Sequence, residues 1–268
     1  MASADIDAPS GNEKEDRHFV TALARGLDVL RCFKSGEERL GNQEISERCK
    51  LPKSTVTRLT YTLTKLGYLH HVEESGRYRL GMATLALGGT TLARLDVKEV
   101  SRPLMQQLAD ETNTLVALGI RDEMSMLYVE NCRGQSILTL RLNIGSRIPI
   151  ATTALGRAYL AGVSESTRQG LEERIQALDP ASWPRIEKGI RQAVSDLSEH
   201  GCCCSFGEWH KEIHAIAVPL SPGQGLPVMA ITAAAPAISV SAETFMREVR
   251  PRLVAAVRQI ERQFGVRR

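Results

Sequence analysis

The chain has no apolar run near the roughly 20 residues that a membrane-spanning helix needs. Its first 18 residues, MASADIDAPSGNEKEDRH, are polar and acidic where a secretion signal would be basic and then apolar. They hold almost no bulky apolar side chains and are expected to form a disordered tail on a cytoplasmic protein. Excess charge is missing too. A formal net charge of +3 is too small to announce a nucleic-acid ligand by itself, so the placement of the arginines must decide that question. The six cysteines lack zinc-site spacing: Cys32, Cys49 and Cys132 are scattered among apolar neighbours, and Cys202, Cys203 and Cys204 are consecutive. Reduced thiols in a reducing compartment are the expectation.

Catalytic signatures are equally scarce. TALGRA around Gly156 lacks the lysine and hydroxyl of a phosphate-binding loop, and neither GTTLARL nor GSRIP supplies a nucleophile elbow. His210 and His214, beside Glu208 and Trp209, would stand i, i+4 on a helix, which suits a metal. However, His214 opens the apolar stretch IHAIAVPL, where a helix cannot comfortably end. No metal, no cofactor and no enzymatic activity are expected.

What is present points to two domains, the default for 268 residues with ordinary proportions of hydrophobic (43%) and charged (24%) side chains. From Thr21 a helix is predicted with Leu23, Leu27, Leu30 and Phe33 on one face, Arg25 exposed and Gly36 at its end. Asn42 to Leu66 then reads as two helices joined by a tight turn. Ile45 marks the apolar face of the first, and Leu51 and Pro52 break the pattern. In the second, Val56, Leu59, Leu63 and Leu66 share a face, which leaves Ser54, Thr55, Thr57, Arg58 and Tyr61 outside. That outer face is hydroxylated and basic, suited to phosphates and to base edges in a major groove. Past Gly67, YLHHVEESGRYRLG changes to period two around Glu74, Ser75 and Gly76, a hairpin that places Arg77 and Arg79 as a wing.

The remainder predicts an α/β domain with an antiparallel sheet. Gly81 to Leu95 reads as a glycine-weakened linker helix whose Met82, Leu85, Leu92 and Leu95 invite cover from a partner chain. A helix at Val97 to Glu111 precedes strands at Leu115 to Ile120, Ser125 to Asn131 and Ile137 to Gly145. Pro149 blocks a central strand, and Thr152 or Thr153 caps a helix from Ala154. Helices at Ser166 to Leu178 and Trp183 to His200 follow. Strands at Cys202 to Phe206, Ile213 to Leu220 and Pro227 to Ala235 come next. A last helix, Ala242 to Phe264, carries Phe245, Val249, Leu253, Val257 and Ile260. The expected domains are therefore a tail at 1–18, a winged helix at 19–81, a linker helix at 82–96 and a second domain at 97–268.

ALARGLDVLRCF, LPKSTVTRLTYTLTKLGYL, YRLG and IPIATTALGRAYLA together resemble the IclR family of bacterial transcriptional regulators, over essentially Thr21 to Phe264. The resemblance implies α+β architecture: a winged helix-turn-helix joined by a linker helix to a GAF- or profilin-like effector domain. It implies a homodimer or dimer of dimers on a near-palindromic double-stranded operator, controlling a catabolic operon. The DNA set would be Arg25, Asn42, Gln43, Lys53, Ser54, Thr55, Thr57, Arg58, Tyr61, Arg77 and Arg79. The small-molecule effector would meet Leu138, Leu140, Leu142, Thr153, Ala154, Leu155, Ala215, Ala217, Thr232 and Ala234, with Glu208 and His210 at the rim. Family members that bind small carboxylates keep Ser-x-Ser in the final strand. Thr232, Ala233 and Ala234 stand there instead, which favours a more apolar or aromatic ligand. Two other readings remain: a second domain that only assembles oligomers, or a redox response at Cys202 to Cys204.

Overall fold

The computed structural model describes residues 19–34, 37–92, 96–135, 140, 142–223 and 225–266. The expected tail at 1–18 lies outside them, as do Gly36, Leu95 and Leu138. The chain divides into two compact units between Gly88 and Gly89, inside the helix expected as the linker.

The first unit runs α1 (Thr21–Arg31), α2 (Asn42–Cys49), α3 (Lys53–Lys65), β1 (Leu69–Val72) and β2 (Arg77–Leu80). Val29, Leu40, Ile45, Val56, Leu63 and Leu69 form its core. The turn between α2 and α3 is held locally. Lys50 takes the left-handed conformation (φ 53°), and the Ser46 hydroxyl donates to the Leu51 carbonyl at 2.6 Å. Pro52, with φ already suited to a helix start, accepts the Val56 N–H at 3.0 Å. In the hairpin, Val72 faces Arg77 and His70 faces Arg79, so both arginines lie on one face of the wing.

Two expectations about faces are corrected here. Leu23 and Leu27 are 62% and 52% exposed, and α1 instead buries Gly26 and Val29. The buried stripe of α1 therefore runs through Gly26 and Val29, and Gly26 faces Leu59 of α3. On α3, Leu66 is 61% exposed and Thr60 is fully buried. Thr60 can be buried because its hydroxyl donates to the Val56 carbonyl at 3.0 Å.

α4 (Met82–Leu92) follows the wing. Its start is anchored by the Ala83 N–H on the Gly67 carbonyl and by the Thr84 hydroxyl on the Tyr68 carbonyl, while Met82, Leu85 and Leu87 stay exposed.

The second unit comprises α5 (Asp96–Thr112), β3 (Leu115–Asp122), β4 (Ser125–Arg133), β5 (Arg147–Pro149), α6 (Ala154–Gly162), α7 (Glu165–Leu178), α8 (Trp183–His200), β6 (Cys203–Phe206), β7 (Ile213–Leu220) and β8 (Met229–Pro236). A final helix begins as α9 (Ala242–Thr244), widens into a π turn at Phe245–Val249 and continues as α10 (Arg250–Gln263). The sheet is antiparallel in the order β5-β4-β3-β8-β7-β6. α5 and α10 cover one face and α6 and α8 the other, each over its own hydrophobic core.

No strand forms at the described part of Ile137 to Gly145: Leu140 and 142–146 are irregular, and the rest lies outside the described residues. β5 takes the edge place beside β4, where Pro149 forfeits no interior ladder bond. The single last helix expected from Ala242 is interrupted by the π turn. Four-residue apolar spacing from Phe245 to Val257 drifts around an α-helix, and the wider turn absorbs part of that drift. All five expected apolar positions are buried.

Candidate functional site

In the first unit, α3 presents Lys53, Ser54, Thr57, Arg58 and Tyr61 to solvent, with Thr55 half-buried. Two hydroxyls are partly committed: Thr57 donates to the Lys53 carbonyl and Thr62 to the Arg58 carbonyl, both at 2.9 Å. Lys65 lies 5.5 Å from the centre of the Tyr61 ring and extends the cationic edge. No side chain caps the α3 N-terminus among the described residues, so its first N–H groups face outward, an arrangement suited to phosphate.

The other proposed DNA residues divide. Arg25 and Arg79 are exposed. Gln43 is also exposed and donates to Glu47 at 3.1 Å. Asn42 is half-buried, and its Oδ1 accepts from the Thr60 hydroxyl at 3.3 Å, which ties α2 to α3. Arg77 pairs with Glu44 at 3.3 Å and donates to the Arg39 carbonyl at 3.3 Å, fastening the wing to the segment before α2 and to α2 itself. Arg48 binds Glu37 with two hydrogen bonds (2.6 and 2.9 Å) and also donates to the Cys32 carbonyl at 2.8 Å. Its guanidinium holds the Glu37 carboxyl below the usual carboxylate range.

In the second unit, register aligns the proposed effector positions in two rows on the α6 side of the sheet. Ala217, Thr232 and Ala117 form one row; Ala215, Ala234 and Leu115 form the other. Thr153, Ala154 and Leu155, at the start of α6, are buried in the same core, and Leu140 and Leu142 pack against it half-buried. Leu138 lies outside the described residues. The available hydroxyls are occupied: Thr232 donates to the Ile216 carbonyl at 2.9 Å, while Thr153 donates to the Pro149 carbonyl at 2.7 Å and accepts the Gly156 N–H as helix cap. What remains is an apolar, small-residue surface. Gly156, in the first turn of α6, has no room for a side chain, since a Cβ there would lie 2.0 Å from the Ile150 carbonyl oxygen.

Polar residues that the motifs did not single out frame this surface. Asn131 and Arg133 extend the two rows onto β4, opposite Ala117 and Leu115. Asn131 donates to the Leu142 carbonyl at 3.0 Å, and Arg133 donates to the carbonyls of Leu142 (2.6 Å) and Leu140 (3.3 Å). Strict period two from Met126 and Tyr128 would have put both side chains on the opposite face; a bulge at Val129 brings them to this one. The irregular segment that they hold could not be foreseen. At the other edge, buried Arg157 grips Glu208, and Ser205 donates to the Thr152 carbonyl at 3.1 Å.

His210 lies exposed in the β6–β7 turn with its ring 4.3 Å from Trp209, whereas His214 sits on β7 with Nδ1 3.1 Å from the Val240 carbonyl. The two histidines therefore do not share a helix, and no group of three metal-ligand side chains occurs among the described residues. Cys202 and Cys203 are fully buried on opposite faces of the sheet, and burial pushes the Cys203 thiol up. A cavity of about 300 Å³ on the outer side of α8, lined by Pro184, Glu187, Lys188, Arg191, Gln192 and Ser195, involves none of the proposed effector residues. No helix among the described residues is long and apolar enough to cross a membrane.

Comparison with known proteins matches residues 22–73 to the IclR helix-turn-helix domain and residues 89–263 to the C-terminal domain of bacterial transcriptional regulator IclR. The HTH-type transcriptional regulator TsaQ1/TsaQ2 of Comamonas testosteroni is 32% identical over 219 residues, 81% of this chain and 78% of that protein. An IclR family transcriptional regulator from Brucella abortus is 42% identical, with a TM-score of 0.82 over 95% of this chain and 96% of its own. An IclR homolog from Microbacterium hydrocarbonoxydans, solved with 4-hydroxybenzoate, shares the fold at 22% identity, with a TM-score of 0.72 over 91% of this chain and 99% of its own.

Proposed function

From the chain's membership of the IclR family of transcriptional regulators, a family of regulators and not enzymes, we propose an operator-binding switch set by a small organic effector. The observation that carries the DNA half is the exposed α3 face of Lys53, Ser54, Thr57, Arg58 and Tyr61 beside an open helix N-terminus. Hydroxyls and N–H groups would hold phosphates while Arg58 reads a base edge. In a homodimer or dimer of dimers, two such helices about 34 Å apart, or a multiple of that, would require a near-palindromic operator. Asn42 and Arg77 serve first to hold α2, α3 and the wing in place.

The effector half rests on the small apolar side chains of Ala117, Ala215, Ala217 and Ala234 in the core against which Leu140 and Leu142 pack, where the nearby hydroxyls are already bonded. That surface suits an aromatic or largely apolar carboxylic acid over a hydrophilic keto acid. The Microbacterium hydrocarbonoxydans homolog holds an aromatic acid of this class. Genes of a catabolic operon for such a compound are the natural target. Thermal shift against aromatic and aliphatic acids, followed by operator binding with each hit, tests this reading. An effector raises the melting temperature by mass action and changes operator affinity, with coupling of about 1 to 3 kcal/mol. A melting shift without altered affinity would reduce the second unit to a binding or assembly module.

A further inference from the structure

Cys32 and Cys49, 17 positions apart in sequence, meet at the ends of α1 and α2 with their sulfurs 2.8 Å from one another. That separation is within an ångström of a disulfide bond's about 2.05 Å. The sequence scattered these two cysteines among apolar neighbours; folding makes them a pair. Both are free thiols, Cys32 buried at 9% exposure and Cys49 half-buried. Arg48, adjacent to Cys49, donates to the Cys32 carbonyl at 2.8 Å and puts a positive charge beside the pair. Cys49 sits immediately before the left-handed Lys50 that turns the chain into α3.

We propose that Cys32 and Cys49 are a redox modification site: a hydroperoxide converts them into an intrachain disulfide that clamps α1 to α2 beside the turn into α3. The two sulfurs have distinct roles. Hydrogen bonding from Cys49, aided by the Arg48 charge, pulls the Cys32 thiol down against the effect of its burial, whereas Cys49 is pushed up and keeps its proton. Cys32 thiolate attacks the peroxide: an S–O bond forms, the O–O bond breaks, and the alcohol or water leaves with a proton. The Cys49 sulfur then attacks the resulting sulfenic acid, so that the S–S bond forms, the S–O bond breaks, and water departs with the Cys49 proton. Two thiols are oxidised by two electrons and one peroxide is reduced. A thiol reductant restores the pair by exchange.

The test uses the full chain exposed to hydrogen peroxide, alkylated, digested without reductant and mapped by mass spectrometry. The expected product is a Cys32–Cys49 linked peptide, lost on dithiothreitol treatment and formed at the same yield when the protein is diluted tenfold. In Cys49→Ser, a dimedone adduct should accumulate at Cys32, because the sulfenic acid has lost its resolving thiol. The proposal is overturned if both cysteines stay fully alkylatable after peroxide. It is also overturned if either one pairs with Cys132, with Cys202 to Cys204 or with another chain, or if Cys49→Ser gives no adduct at Cys32.

Discussion

Arg157 and Glu208, 51 residues apart in sequence, close a two-pronged ion pair, with Nη1 to Oε1 at 2.7 Å and Nη2 to Oε2 at 2.6 Å. Arg157 is 5% exposed, Glu208 46%. The arginine lies against Gly189 of α8, where a Cβ would stand 2.3 Å from Nη2, and it also donates to the Cys204 carbonyl. Glu208 therefore latches the β6–β7 turn onto α6 and offsets a charge that is otherwise buried. Glu208→Ala should destabilise the protein by about 2 kcal/mol, less than the ~3 to 5 kcal/mol for a fully buried pair because Glu208 still meets water. Urea unfolding measures the loss, and an unchanged midpoint would show that Arg157 finds another partner.

The DNA face separates reading from positioning. Arg58→Ala should cost about 1 to 3 kcal/mol on the operator and far less on random DNA if it contacts a base edge. Arg79→Ala should weaken both equally and lower the slope of log affinity against log salt by about 1. Titrations on operator and scrambled duplex at several salt concentrations distinguish the two. Equal losses for Arg58→Ala would make it a phosphate contact.

Glu37 gives the winged unit an acid-side weakness. Arg48 lowers its folded-state pKa, so the ionised carboxylate stabilises the fold above the unfolded-state pKa, and that contribution disappears as pH falls through the folded value. Glu37→Gln should therefore lower the melting temperature at neutral pH and flatten its decline below the ordinary carboxylate range. Melting curves across that range decide the matter. A parallel decline in the variant would assign the acid sensitivity to other carboxylates.

Much of this architecture was legible because short-range signals carried it. Lys50 to Pro52 break the helical period, Ser75 and Gly76 turn the hairpin, and Trp183 to His200 runs from an early proline to the left-handed Gly201. Faces and partners were less legible. Leu27 and Val29 are both apolar and helical, and only packing against the rest of the unit decides that Val29 is buried and Leu27 exposed. Asn42 looks like a base reader in a motif, yet its hydrogen bond to Thr60 spans 18 positions. The Cys32–Cys49 and Arg157–Glu208 pairs likewise arise from tertiary contacts that no local spacing announces.

Leu140 offers a way to separate effector sensing from DNA binding. It packs half-buried against the core that contains the alanine rows, and its carbonyl is held by Arg133 of the sheet. A carboxylate there would oppose an acidic effector by charge and an apolar one by the cost of desolvation. The winged unit contains none of these contacts. Leu140→Glu should therefore leave operator affinity within about twofold of wild type while abolishing the melting shift and the affinity change produced by an effector, a loss of the whole ~1 to 3 kcal/mol typical of coupling. Fluorescence anisotropy on operator DNA, with and without the compound that stabilises wild type, reads both quantities in one experiment. A variant that still responds would place the effector away from the Leu140 side of the sheet.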